Sequence, residues 1–75
     1  MKLNEPKENK NCLRQIREAL LIGKSELARQ AGLSPGTIDR IEKGFSCHLK
    51  TQRKIVLALG LGLSDMPRVF PPPKP

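Results

Sequence analysis

The apolar residues of this 75-residue chain fall in short clusters with helical spacing, and no run alternates at the period of two that a half-buried strand needs. Leu13, Ile16 and Leu20 stand at i, i+3 and i+7, which predicts a helix that buries those three, with Asn11 as its cap and Arg14, Arg17 and Glu18 outside. Ile22 follows as a connecting core residue. Leu27, Ala28 and Ala31 share one face of a helix over 24–31. Gly32 ends it, because a glycine just past the last periodic residue takes the left-handed conformation that closes a helix, and Leu33 supplies the apolar contact across the turn. Ser34-Pro35 then restarts the chain: serine caps, and proline at the first helical position has its dihedral already set and loses no needed hydrogen bond. The resulting helix runs to about Lys43, and its only apolar residues are Ile38 and Ile41. One narrow stripe is therefore buried and the rest of that helix is left free.

Gly44 closes this helix and residues 45–48 form a loop. A fourth helix is predicted over 49–59, with Leu49, Ile55, Val56 and Leu59 inward, Leu57 partly outward and Gly60 as its stop. The stretch from Leu61 to Met66 predicts a turn and one short helical turn, capped by Ser64 and halted by Pro67. These elements predict an all-α fold, a compact bundle of four to five short helices over residues 11–66. Residues 1–10 are polar and charged and contain a proline, which predicts a flexible arm. Residues 67–75 predict a proline-rich tail, extended or disordered. With two aromatic residues, both Phe, the core is built from Leu, Ile, Val and Ala.

The net charge is +7 and the pI near 10.0, which points to a polyanionic partner or to a solvated basic surface. Residues 12–44 carry six bases against four acids, whereas residues 45–75 carry Lys50, Arg53, Lys54, Arg68 and Lys74 against Asp65 alone. The excess thus lies after the free-faced helix, where a basic surface supports nucleic-acid binding.

Other chemistries are poorly supplied. Cys12 and Cys47 are a single distant pair with no secretory signal before them, and with one histidine, His48, they offer no recognised zinc spacing, so no metal site is expected. A reduced, cytoplasmic protein is expected, since no apolar run approaches the roughly 20 residues that span a bilayer. No acid, base and nucleophile set is apparent, so neither an enzyme nor a cofactor is implied. Gly23-Lys24-Ser25 has the ending of a phosphate-binding loop, but Glu18 stands where its first glycine is required and no strand precedes it.

Taken together, Leu27-Ala28, Gly32, Leu33-Ser34, Thr37-Ile38, Ile41-Glu42 and Gly44, with Ala58-Leu59-Gly60 and Leu63-Ser64-Asp65 behind them, resemble the helix-turn-helix family of phage repressor and Cro proteins over residues 11–66. The resemblance implies a transcriptional regulator whose second helix, 35–43, lies in the major groove of double-stranded DNA. It implies that Pro35, Gly36, Thr37 and Arg40 face the bases, Arg40 through two hydrogen bonds to a guanine edge. It implies phosphate contacts by Lys24, which stands where the family commonly has a glutamine, and by Ser34, Lys43, Lys50 and Arg53. Gln52 and Arg53 depart from the family, which usually has apolar residues there.

One reading helix covers only a few base pairs, so a homodimer on a palindromic operator is expected. Leu57, Leu61, Leu63, Met66 and Phe70 are the candidate interface; the alternative is that they finish the monomer core. Asp39 is expected to face solvent, the alternatives being that it orients Arg40 or Lys43 or accepts from cytosine N4; Glu42 is expected to cap or pair locally, and Glu26 with Arg29 to form a surface pair. Two further readings stay open on the same fold: an antitoxin that binds a toxin protein and its own promoter, and a protein- or RNA-interaction module using the proline tail.

Overall fold

Four helices of this fold end on the same hydrogen-bonded turn. The computed structural model describes residues 11–72, which form α1 (Leu13–Ala19), α2 (Lys24–Ala31), α3 (Pro35–Glu42), α4 (Leu49–Ala58), a 3-10 turn (Leu63–Asp65) and α5 (Met66–Val69), with no strand among them. At the end of α2 the Leu33 amide donates to the Ala28 carbonyl at 2.8 Å and the Gly32 amide to the Arg29 carbonyl at 3.2 Å. This pair of bonds satisfies the carbonyls a helix end leaves open, and it requires a left-handed residue at the turn. Gly32, at φ 73°, is that residue, and Gly44 and Gly60 play the same part after α3 and α4. After α1 the bonds run from Ile22 to Arg17 and from Leu21 to Glu18, both 3.0 Å, and the left-handed residue is Leu21, at φ 60°.

The Ser34 signal acts as its chemistry requires. Its Oγ accepts from the Thr37 amide at 3.3 Å, and Pro35 opens α3. Asn11 serves two helices: its Oδ1 accepts from the Leu13 amide at 3.1 Å, and its Nδ2 donates to the Ile41 carbonyl at 2.8 Å. One side chain thus ties the start of α1 to the end of α3.

Leu13, Leu27, Ala28, Ala31, Ile38, Ile41, Ile55, Val56, Leu59 and Val69 form a single core. α2 packs on α3 and α4, α1 on α3, and α5 with the 3-10 turn on α4. The ten core residues are all aliphatic, as the composition requires, and Phe70 packs at the edge of the core, partly buried.

Several expectations are corrected. Leu20 is exposed and Arg17 is buried in its stead, so the inward face of α1 is rotated toward a charged residue. Leu49 is exposed, and α4 enters the core only at Ile55 and Val56. Pro67 does not halt the last helix. It lies in the first turn of α5, where its missing N–H is not required, and the helix continues to Val69. Val69 is fully buried, and its carbonyl accepts from the Cys12 amide at 2.8 Å, so the packed unit extends beyond residue 66. Asp65 rather than Ser64 closes the preceding turn, its Oδ2 accepting from the Gly62 amide at 3.1 Å. The expected arm, 1–10, lies outside the described residues, as do residues 73–75 of the expected tail.

Candidate functional site

α3 buries Ile38 and Ile41 and turns the rest of its surface outward. Its seat is set by an ion pair. Arg17 Nε donates to Glu42 Oε2 at 2.6 Å and Nη2 to Oε1 at 3.2 Å, while Nη1 donates to the Ile22 carbonyl at 2.9 Å. The two side chains are 8% and 4% exposed, so the forked guanidinium is matched by a carboxylate with little water between. The hydrogen bond to Glu42 holds the Arg17 guanidinium above its ordinary range, against the opposing effect of burial. Glu42 thus reaches across to α1 rather than pairing locally as expected.

Ser34, Pro35, Gly36, Arg40 and Lys43 are exposed, and Thr37 and Asp39 half-buried. Ser34 Oγ also lies 3.0 Å from Thr37 Oγ1, so the start of α3 presents two hydroxyls beside Pro35 and Gly36. A Cβ on Gly36 would meet nothing within 4 Å among the described residues, so the glycine answers no crowding there. Arg40 leans over the Phe45 ring, its guanidinium carbon 5.4 Å from the centroid, a cation–π contact that limits where the arginine swings.

Asp39 does not simply face solvent. Its Oδ1 accepts from Lys24 Nζ at 2.7 Å and its Oδ2 lies 3.1 Å from Lys43 Nζ. The hydrogen bonds from Lys24 and then Lys43 hold its carboxyl below the usual carboxylate range. Lys24 stands at the start of α2 and Lys43 just past α3, so the carboxylate joins a cation from each helix of the pair. The expected pair of Glu26 with Arg29 does not form.

Thr37, Arg40, Ile41, Phe45, Ser46 and Cys47 line a shallow, open cleft beside α3. Burial pushes the Cys47 thiol up, with Gln52 partly offsetting it by a hydrogen bond, so at neutral pH the group is an uncharged packing residue. Gln52 is half-buried, and its neighbour Arg53 is exposed. Lys50, Arg53 and Lys54 stand free on the first turns of α4, in no ion pair among the described residues.

The candidate interface residues divide. Leu57 and Leu63 are exposed at 56% and 50%, whereas Leu61, Met66 and Phe70 are partly buried against the core. Among the described residues no helix is long and apolar enough to cross a membrane, and no group of three or more His, Cys, Asp or Glu is placed to hold a metal ion.

A short helix with one buried stripe, set across a second helix by a glycine turn and carrying its polar surface outward, defines a helix-turn-helix protein. The family model described as helix-turn-helix matches residues 13–65, and the chain belongs to that family, in its Cro/C1-type branch. A crystal structure of the clp gene regulator ClgR from C. glutamicum is similar to it, with 27% identity over 73% of each chain and a TM-score of 0.67. A comparison with curated proteins finds no match.

Sequence reasoning held the contact of Asp39 with Lys43 only as an alternative, and missed the bond of Asp39 to Lys24 and the burial of Arg17 with Glu42. The i, i+4 spacing of Asp39 and Lys43 was a readable signal for one of these contacts. The others join residues 15 and 25 positions apart, for which the chain carries no local mark.

Proposed function

We propose that the protein is a sequence-specific transcriptional regulator of double-stranded DNA, with α3 as the reading helix in the major groove. The observation that carries this reading is the outward face of α3: Ser34, Pro35, Gly36 and Arg40 are exposed and Thr37 half-exposed, with the cations of Lys24 and Lys43 gathered on Asp39 of the same helix. Arg40 is the base reader, since a guanidinium forms two parallel hydrogen bonds to a guanine edge, and its stacking on Phe45 prepares one direction of approach. Pro35, Gly36 and Thr37 approach closely at the start of the helix, with apolar contact and a hydroxyl to offer. Lys24, Ser34, Lys43, Lys50 and Arg53 serve the phosphates, and the net charge of +7 favours them.

With so few base-reading side chains, useful selectivity requires two copies on a two-fold operator. The proposed homodimer surface centres on exposed Leu57 and Leu63, with Leu61, Met66 and Phe70 beside them.

Duplex binding across salt concentrations tests the reading. Affinity should fall steeply with salt. Arg40→Ala should lose about 1 to 3 kcal/mol of discrimination between sequences, and Lys24→Ala should weaken binding to every sequence with a smaller change of preference. Salt-insensitive or absent binding overturns the function, and a Lys24→Ala variant that shifts sequence preference as far as Arg40→Ala overturns the roles. Sedimentation of Leu57→Glu/Leu63→Glu should show a monomer where the parent protein is a dimer.

A further inference from the structure

A carboxylate stands among the cations of the α3 face, where the partner proposed above is a polyanion. Asp39 is 37% exposed, so burial does not force it to find a counter-charge, yet each of its oxygens is engaged by a different ammonium, at 2.7 Å and 3.1 Å. Arg40, next along the helix, is not held in this way and rests on Phe45. The cations of the face therefore fall into two kinds, lysines tied to an acid and an arginine left to reach outward.

We propose that Asp39 is a specificity-determining positioning residue of the DNA-reading face, which fixes the Lys24 and Lys43 ammonium groups at the junction of α2 and α3 and lowers the charge that unselected duplex can use. The inference rests on the reading of the protein as a DNA-binding regulator. Loose binding to unselected duplex is driven by charge alone and grows with every cation free to neutralise a phosphate. Asp39 leaves the cluster with one net positive charge instead of two, so loose binding weakens. A docked complex, by contrast, needs ammonium groups at fixed places, and lysines already held near those places lose less side-chain freedom on docking. The same carboxylate thus acts against unselected duplex and for the docked geometry.

The test measures anisotropy of a labelled random-sequence duplex and of the tightest duplex selected from a random pool, at about 50 and about 200 mM salt. Asp39→Asn should bind the random duplex more tightly, and that affinity should fall an additional ~3.5-fold between the two salt concentrations for each phosphate newly neutralised. The ratio of selected to random affinity should shrink, and more at the lower salt concentration. In a Lys24→Gln/Lys43→Gln background Asp39→Asn should no longer change the ratio of selected to random affinity, because positioning acts through those lysines, and only a smaller, sequence-independent gain from relieved carboxylate–phosphate repulsion should remain. Asp39→Glu keeps the charge and displaces it by one methylene. It should leave random-duplex affinity low and weaken the selected duplex, which also carries the test should Asp39→Asn not fold.

An unchanged ratio in Asp39→Asn, an equal effect in the lysine-free background, or Asp39→Glu indistinguishable from the parent protein overturns the inference. If the parent protein binds duplex normally in those cases, the proposed function stands. If the parent protein binds no duplex, both fall.

Discussion

Arg17 Nε meets Glu42 Oε2 at 2.6 Å, joining the middle of α1 to the last residue of α3 across 25 positions of chain. The pair is almost entirely buried, and every buried side-chain polar atom among the described residues has a partner. An ion pair in such a place is weak evidence for net stability, since desolvation opposes the attraction, but removing one partner strands the other. Arg17→Met should therefore destabilise the fold by about 3 to 5 kcal/mol in urea unfolding. Arg17→Met/Glu42→Leu should recover much of the loss. A single replacement that leaves the midpoint unmoved contradicts the role given to this pair.

Leu21 occupies a turn position where the other helices use glycine. It is 90% exposed at φ 60°, so its side chain contributes no packing to offset the steric strain of a left-handed residue. Leu21→Gly should stabilise the protein by about 1 kcal/mol, raising Tm by roughly 4 to 8 °C in a domain of this size. Calorimetry decides it, and a lower Tm argues that the strain is relieved in some other way.

Val69 binds α5 into the core and its carbonyl holds the Cys12 amide. Val69→Ala should cost about 2 kcal/mol by the loss of buried methyl groups and the cavity left behind. Pro67→Ala, at an exposed helix start, should be near neutral. Equal effects from the two would show that the last helix does not contribute as a packed element.

The acid limb of stability should carry a contribution from Asp39. Its pKa is lowered below the ordinary 3.8 by hydrogen bonds from Lys24 and Lys43, so the contribution is fully present above that value and is lost as pH falls through the lower folded value. NMR titration of the side-chain carboxyl should give a midpoint below 3.8, returning toward it in Lys24→Gln/Lys43→Gln. A midpoint that ignores both lysines removes the ion cluster from the account.

The extents of α2 and α3 were legible in the sequence because their ends are written in residues that act within a few positions: the left-handed turn at Gly32, and the cap and pre-set dihedral of Ser34-Pro35. The apolar stripe of α3 was legible for the same reason, since Ile38 and Ile41 share a face whatever they pack against. These local rules gave the all-α class and the outward surface on which the proposed function rests. The tertiary structure alone decided which charges that surface has free to use. Arg17 is buried because Glu42 and the Ile22 carbonyl happen to converge on it, Leu49 is exposed because none of the described residues folds over the start of α4, and Val69 is buried because α5 returns to α4 and to Cys12. Lys24 is tied to Asp39 only because the turn at Gly32 sets α2 against α3. Caps and helical periodicity act within about one turn of chain, whereas burial and ion pairing depend on which distant segments meet, and that is settled only when the whole core closes.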